Sequence, residues 1–124
     1  MEDFVTFNLA KKLKEKGFPI KTKTEGKFGL TEVKSVEILP TLSQVLKWLR
    51  EEKKIHIEPC ILADADTDAD GKVINEFTYW SFSITSIANG DMIYFEYERI
   101  DDKRFNSYEL AALAGIEYVL DNLI

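Results

Sequence analysis

The chain has 124 residues, 45% hydrophobic and 31% charged, which suits one domain with a buried core. Its formal net charge of −6 argues against nucleic-acid binding, which ordinarily needs a concentrated basic surface. One cysteine, Cys60, excludes an intramolecular disulfide, no apolar run approaches the ~18 residues of a membrane span, and no signal peptide is expected at Met1-Glu2-Asp3-Phe4, so the chain reads as cytoplasmic.

Val5 to Phe18 predicts a first helix. Thr6 stands at the cap, Val5 can staple against Ala10, and Leu9, Ala10 and Leu13 form the apolar stripe. Lys11, Lys12, Lys14 and Lys16 point outward, a pattern that usually marks a solvated face rather than an anion site. Gly17 is placed to end the helix, and Pro19 cannot continue it. Ile20 to Leu39 reads as a peripheral hairpin, with Ile20, Thr22 and Thr24 alternating against lysines and Glu25-Gly26 offering a turn. Pro40-Thr41 opens a second helix. Thr41 and Gln44 have the spacing of a capping box, and Leu42, Val45, Leu46 and Leu49 follow the helical apolar period.

Ile55 to Ala63 then predicts a strand, with Pro59 pointing to an edge position or a bulge. After an Asp-rich connection comes the stretch Phe77 to Ile100, two alternating runs around Asn89-Gly90. Asn-Gly is the usual signature of a type I′ hairpin turn, which needs φ > 0 at both central residues. In that register Ala88 faces Asp91, Ile84 faces Phe95 and Ser83 faces Glu96. Trp80, Phe82, Ile84, Phe95 and Tyr97 then share a dry face, while Tyr79, Tyr94, Glu96 and Glu98 share the other. Asp101 to Arg104 is a polar link. A third helix follows from about Tyr108 to Asn122, capped by Ser107, or by Asn106 paired with Glu109. Leu113, Ile116, Leu120 and Leu123 form its core seam. Gly115 costs about 1 kcal/mol in mid-helix, which points to a close approach by a neighbouring element. The fold class expected is α+β, a three-strand antiparallel meander with an additional N-terminal hairpin and three amphipathic helices mainly on one face.

Three segments, VTFNLAKKLKEKGF (Val5–Phe18), PTLSQVLKWLREEK (Pro40–Lys53) and SYELAALAGIEYVLDNLI (Ser107–Ile124), resemble a family of small, uncharacterised proteins of gut anaerobic bacteria. Members of that family are often encoded in prophage or mobile-element neighbourhoods. The resemblance covers the three helices and not the sheet, and Asn8 and Leu110 stand where acidic residues are common in that family. It implies a cytoplasmic protein of accessory or phage-related biology, and it brings no activity and no functional residue.

The most pointed constellation is Asp64-Ala-Asp66-Thr-Asp68-Ala-Asp70-Gly71-Lys72-Val73. With Asp66 first, Asp68, Asp70 and Gly71 match the opening half of a calcium loop, where hard carboxylate oxygens converge. The closing position is Phe77, and Glu76 falls one residue early. The candidate Ca²⁺ ligands are thus Asp66, Asp68, Asp70 and Glu76, in a chain otherwise expected to need no cofactor; the alternative is an acidic, solvated hairpin loop. His56 and Cys60 share one side of a strand, but two ligands do not make a zinc site. No nucleophile–base set and no phosphate-binding glycine loop is present, so no catalytic residue is assigned and an enzyme is the least supported class. Tyr79, Ile87, Met92 and Tyr94 fall on the outer side of the expected hairpin, and amphipathic tyrosines favour interfaces. The reading that follows is a non-enzymatic accessory protein acting through an unidentified protein partner or as a homo-oligomer, without nucleic acid or membrane. A weak calcium-binding module using residues 64–76 is second. An acidic mimic of nucleic acid that blocks a DNA-binding enzyme, suggested only by net charge and the phage-related context that the resemblance implies, is third.

Overall fold

Alternation along two long strands decides which side of the sheet is dry. A computed structural model describes residues 3–26, 33–95 and 105–124. The elements are α1 (Phe7–Glu15), β1 (Thr22–Gly26), β2 (Val33–Glu37), α2 (Leu42–Glu52), β3 (Ile55–Thr67), β4 (Val73–Ser86), β5 (Met92–Phe95) and α3 (Tyr108–Asn122). β1 and β2 form an antiparallel pair, and β3, β4 and β5 form an antiparallel meander with β4 in the centre. Among the described residues the fold is α+β, with three helices and a three-strand meander, as the sequence predicts.

One face of the meander carries Ile57 opposite Ile84 and Pro59 opposite Phe82. Ile57, Phe82 and Ile84 belong to a single core with Leu9 and Leu13 of α1, Val45 and Leu49 of α2, and Ile116 and Val119 of α3. All three helices therefore bury their apolar stripes in one core built on this face. α3 lies across β3 and β4, α2 against β3, and α1 against α3. Fully burying each of these aliphatic side chains stabilises the fold by about 1.5–3 kcal/mol. Gly115 sits where α3 meets the sheet, and a Cβ there would lie 2.7 Å from Ile57 Cγ2 and 3.2 Å from Phe82 Cδ2. The close approach expected from a mid-helix glycine is the contact that seats α3.

The caps form as read. Thr6 Oγ1 accepts from the Leu9 N–H at 3.2 Å. Thr41 and Gln44 exchange both bonds of a capping box, at 2.9 and 3.2 Å. At α3 the cap is Ser107, whose Oγ accepts from the Leu110 N–H. Gly17 takes φ +96 beyond the end of α1. Lys12 of α1 reaches Asp121 and Glu117 of α3, and Lys14 pairs with Glu37 of β2. These exposed pairs tie elements together at little energy each. Bonding to Asp121 is the largest cause raising the Lys12 pKa, with the charges of Asp121 and Glu117 adding to it.

The expected β4–β5 register is corrected. Ser83 faces Phe95 rather than Glu96, Ile84 faces Tyr94, and Thr85 faces Met92, leaving Ile93 as an extra residue on β5. The turn explains the slip. Gly90 alone has a positive φ (+74), and Asn89 does not, so the type I′ geometry is absent. Instead the Asn89 carboxamide oxygen accepts from the Asp91 N–H, the Gly90 N–H donates to the Ser86 carbonyl, and the chain takes a longer loop. The consequence is an exchange of faces on β5. Tyr94, expected on the outer side, turns under α3 and stacks on Tyr118 with ring centroids 4.0 Å apart. Phe95 takes the outer side. The expected extension through Glu96, Tyr97, Glu98, Arg99 and Ile100 lies outside the described residues. After them Phe105 returns to the free side of β4 and pairs with Trp80.

The Asp-rich connection is also shorter than expected. β3 continues through Asp66 and Thr67, and β4 begins at Val73. Ala63 pairs with Thr78, Ala65 with Glu76, Asp64 with Phe77 and Asp66 with Asn75, so the alternation that looked like a loop is a paired strand. Pro59 sits on an edge strand without a bulge, and the register shift falls at Asp66/Thr67. Among the described residues no helix is long and apolar enough to cross a membrane.

Candidate functional site

The 13 residues of β3 span about 40 Å at the usual rise per residue, well beyond the length of sheet that the helices cover. Burial stops abruptly along both strands. Ile55 and Ile57 on β3, and Phe82 and Ile84 on β4, are in the core. From Ala63 to Glu76 only Ala65 is better than exposed. β3 and β4 therefore leave the domain as a two-stranded arm. Large apolar side chains on it are in water: Ile61 is 57% exposed, Val73 50% and Ile74 67%.

The outer face of the sheet, away from the helices, carries Leu62 opposite Tyr79 and Asp64 opposite Phe77. The rings of Phe77 and Tyr79 stand 6.3 Å apart. Nearer the domain the same face presents Phe95 and the exposed Met92, and Ile87 is exposed in the following turn. Of the residues expected at an interface, Tyr79, Ile87 and Met92 are thus on or beside this face, and Tyr94 is not. Ser81 lies on this face opposite Cys60, and its Oγ is buried without a hydrogen-bond partner.

Further along, His56 Nε2 and Glu58 Oε2 are 2.6 Å apart, and Cys60 follows on the same face. Burial pushes the Cys60 thiol up, and the Glu58 carboxylate adds to the shift. Both causes disfavour the thiolate, so this cysteine has the opposite setting from an activated nucleophile.

The four expected calcium ligands are not brought together. Asp68 is committed to the arm's tip, where its Oδ1 accepts from the N–H groups of Asp70 and Lys72, both at 2.9 Å. Gly71 takes φ +82, and its N–H donates to the Asp68 carbonyl, which closes the turn. Asp66 faces Asn75 on the outer side, whereas Glu76, opposite Ala65, points to the helix side. Among the described residues no three His, Cys, Asp or Glu side chains gather closely enough to hold a metal ion.

A groove of about 270 Å³ lies elsewhere, between the end of α1, the base of the β1–β2 hairpin and α2. Phe18, Ile38, Leu39 and Trp48 line it together with Lys47 and Glu51. Phe18 meets Trp48 edge to face at 5.3 Å.

Sequence reasoning missed Ile61, Val73 and Ile74 as functional candidates. A signal for them exists. Asp70-Gly71 between Ile61-Leu62 and Val73-Ile74 is itself a hairpin signature, overshadowed by its likeness to a calcium loop. No family model, no curated protein and no solved structure matches the chain.

Proposed function

We propose that the protein is a non-enzymatic accessory protein that acts through protein–protein contact, with the β3–β4 arm and the adjoining outer face as its contact element. The observation that carries this reading is the arm itself. A two-stranded hairpin is marginal in water on its own, and Ile61, Val73 and Ile74 hold apolar surface in solvent outside the core. Leu62, Phe77 and Tyr79 continue that surface on the other side. The non-enzymatic part rests on the lack of a nucleophile–base set in the sequence and on the raised Cys60 thiol. A cytoplasmic, accessory role in a prophage or mobile-element setting is the context that the resemblance of the three helix segments implies.

The test is capture of partners from the native host by the full chain, alongside sedimentation velocity over a range of concentrations. Changing Ile61 and Ile74 together to serine is expected to abolish the association, whether with a partner or with a second copy. It should leave thermal unfolding within a few degrees, because exposed positions outside the core contribute about 0.5 kcal/mol or less. Undiminished association in this variant contradicts the reading.

A further inference from the structure

Among the described residues no strand lies beyond β3, and its outward polar groups can be assigned. The Trp80 N–H donates to the Phe105 carbonyl at 2.8 Å, and the Phe105 N–H donates back at 3.0 Å, so Trp80 turns both groups away from β3. Ile61 lies opposite Trp80. In an antiparallel ladder a residue opposite such a position also turns its own N–H and carbonyl away from the pair. Alternation extends this to Pro59, Ala63 and Ala65. Pro59, which has no N–H, fits because that position makes no bond to β4. The Ala65 N–H points the same way and is taken by the Asp64 carboxylate at 2.8 Å. The edge therefore presents the N–H groups of Ile61 and Ala63 and the carbonyls of Pro59, Ile61, Ala63 and Ala65.

The side chains beside this edge differ between its faces. On the outer face Asp64 follows the half-buried Cys60 and Leu62, with Glu58 and Asp66 flanking the stretch, and Ile61, Ala63 and Ala65 stand on the other. A strand added here sets its alternate side chains against these two sets. We propose that the β3 edge from Pro59 to Ala65 takes, by strand addition, an extended segment of a partner protein whose side chains are basic on one face and apolar on the other. The inference rests on the arm being the contact element, and it names the chemistry of what the arm contacts. Charge decides the occupant. Around the arm Asp64, Asp66, Asp68, Asp70 and Glu76 outnumber Lys72, and such a field draws in a basic segment and repels an acidic one. A second copy meets like charges in two of its registers. A two-fold axis at Ile61 sets Glu58 against Asp64 of the other copy, and one at Leu62 sets Glu58 against Asp66, so like charges meet across the new pair.

The probe is an acetylated, amidated octapeptide of alternating lysine and valine, titrated into the full chain and followed by amide NMR. Saturable shifts are expected at Ile61, Ala63 and Ala65, with affinity falling at least about tenfold in high salt. The same octapeptide with glutamate for lysine should not bind. Ile61→Pro removes an edge donor at a position of the kind Pro59 already occupies, so it should keep the β3–β4 ladder and weaken the lysine peptide at least about tenfold. An octapeptide N-methylated at the valines gives the same test without touching the fold, and it too should bind at least about tenfold more weakly. Shifts centred on Tyr79 and Phe95, or equal binding of the glutamate peptide, overturn the edge inference. If no octapeptide binds while the Ile61→Ser, Ile74→Ser variant still loses its association, strand addition fails and the contact reading stands. If that association also persists, both fail.

Discussion

Gly115 and Ser81 stand on opposite sides of the sheet, and each makes a sharp statement about its side. Replacing Gly115 by alanine adds a better helix former, worth about 1 kcal/mol. The new Cβ would meet Ile57 Cγ2 at 2.7 Å, and Ile57 is a stiff, β-branched, buried residue on a paired strand. Overpacking of this kind costs about 1–3 kcal/mol, so Gly115→Ala should lower the urea midpoint with an unchanged slope. A rise in the midpoint would mean that α3 does not rest on Ile57. Ser81 has the reverse sign. Its buried hydroxyl lacks a partner, and such a group costs about 1–3 kcal/mol. Ser81→Ala should therefore raise the midpoint, and a loss of stability would show that the hydroxyl is bonded. The glycine was legible in the sequence because a poor helix former in mid-helix needs a packing reason. The serine was not, because alternation places Ser81 on the wet face, and nothing in the sequence says that its neighbours close over it.

Helices and turns differ in how much of their geometry is local. Thr6, Thr41 with Gln44, and Ser107 each bond a backbone N–H three residues away, and all three caps were readable for that reason. The Asn89-Gly90 turn has two solutions of similar length. Asn89 spends its side chain on the Asp91 N–H, and the register moves by one residue. That choice is settled by tertiary packing, since it puts Tyr94 on Tyr118 and within reach of Phe82. The acidic tip is a second ambiguous turn. The same aspartates that spell half a calcium loop also make a tight hairpin, and Asp68 with Gly71 closes it without an ion. A calcium titration followed by amide NMR should give no saturable shifts, or a dissociation constant no tighter than the ~10⁻⁴–10⁻³ M of weak sites. Saturable shifts confined to residues 64–76, at an affinity tighter than about 10 μM and lost in Asp66→Asn, would mean that the arm's end rearranges around the ion.

For the molecule as a whole, the sequence pointed to the β4–β5 hairpin as its organising pair, whereas among the described residues the long pair is β3–β4. The dry face of β4 was legible from Phe82 and Ile84, and the three apolar helix stripes that cover it were legible from their period. The arm was hidden because periodicity records alternation and not where the helices end. Ile61 obeys the same alternation as Ile57, yet one is in water and the other in the core. The functional proposal depends on the arm standing clear of the domain with its edge open, and amide hydrogen exchange on the full chain measures that directly. The N–H groups of Cys60 and Leu62 face β4, and those of Ile61 and Ala63 face the edge. Ile61 and Ala63 should therefore exchange on the order of a hundredfold faster than Cys60 and Leu62. Equal protection of all four would mean that another segment of the chain pairs with this edge, and the arm would then have no open edge to offer a partner.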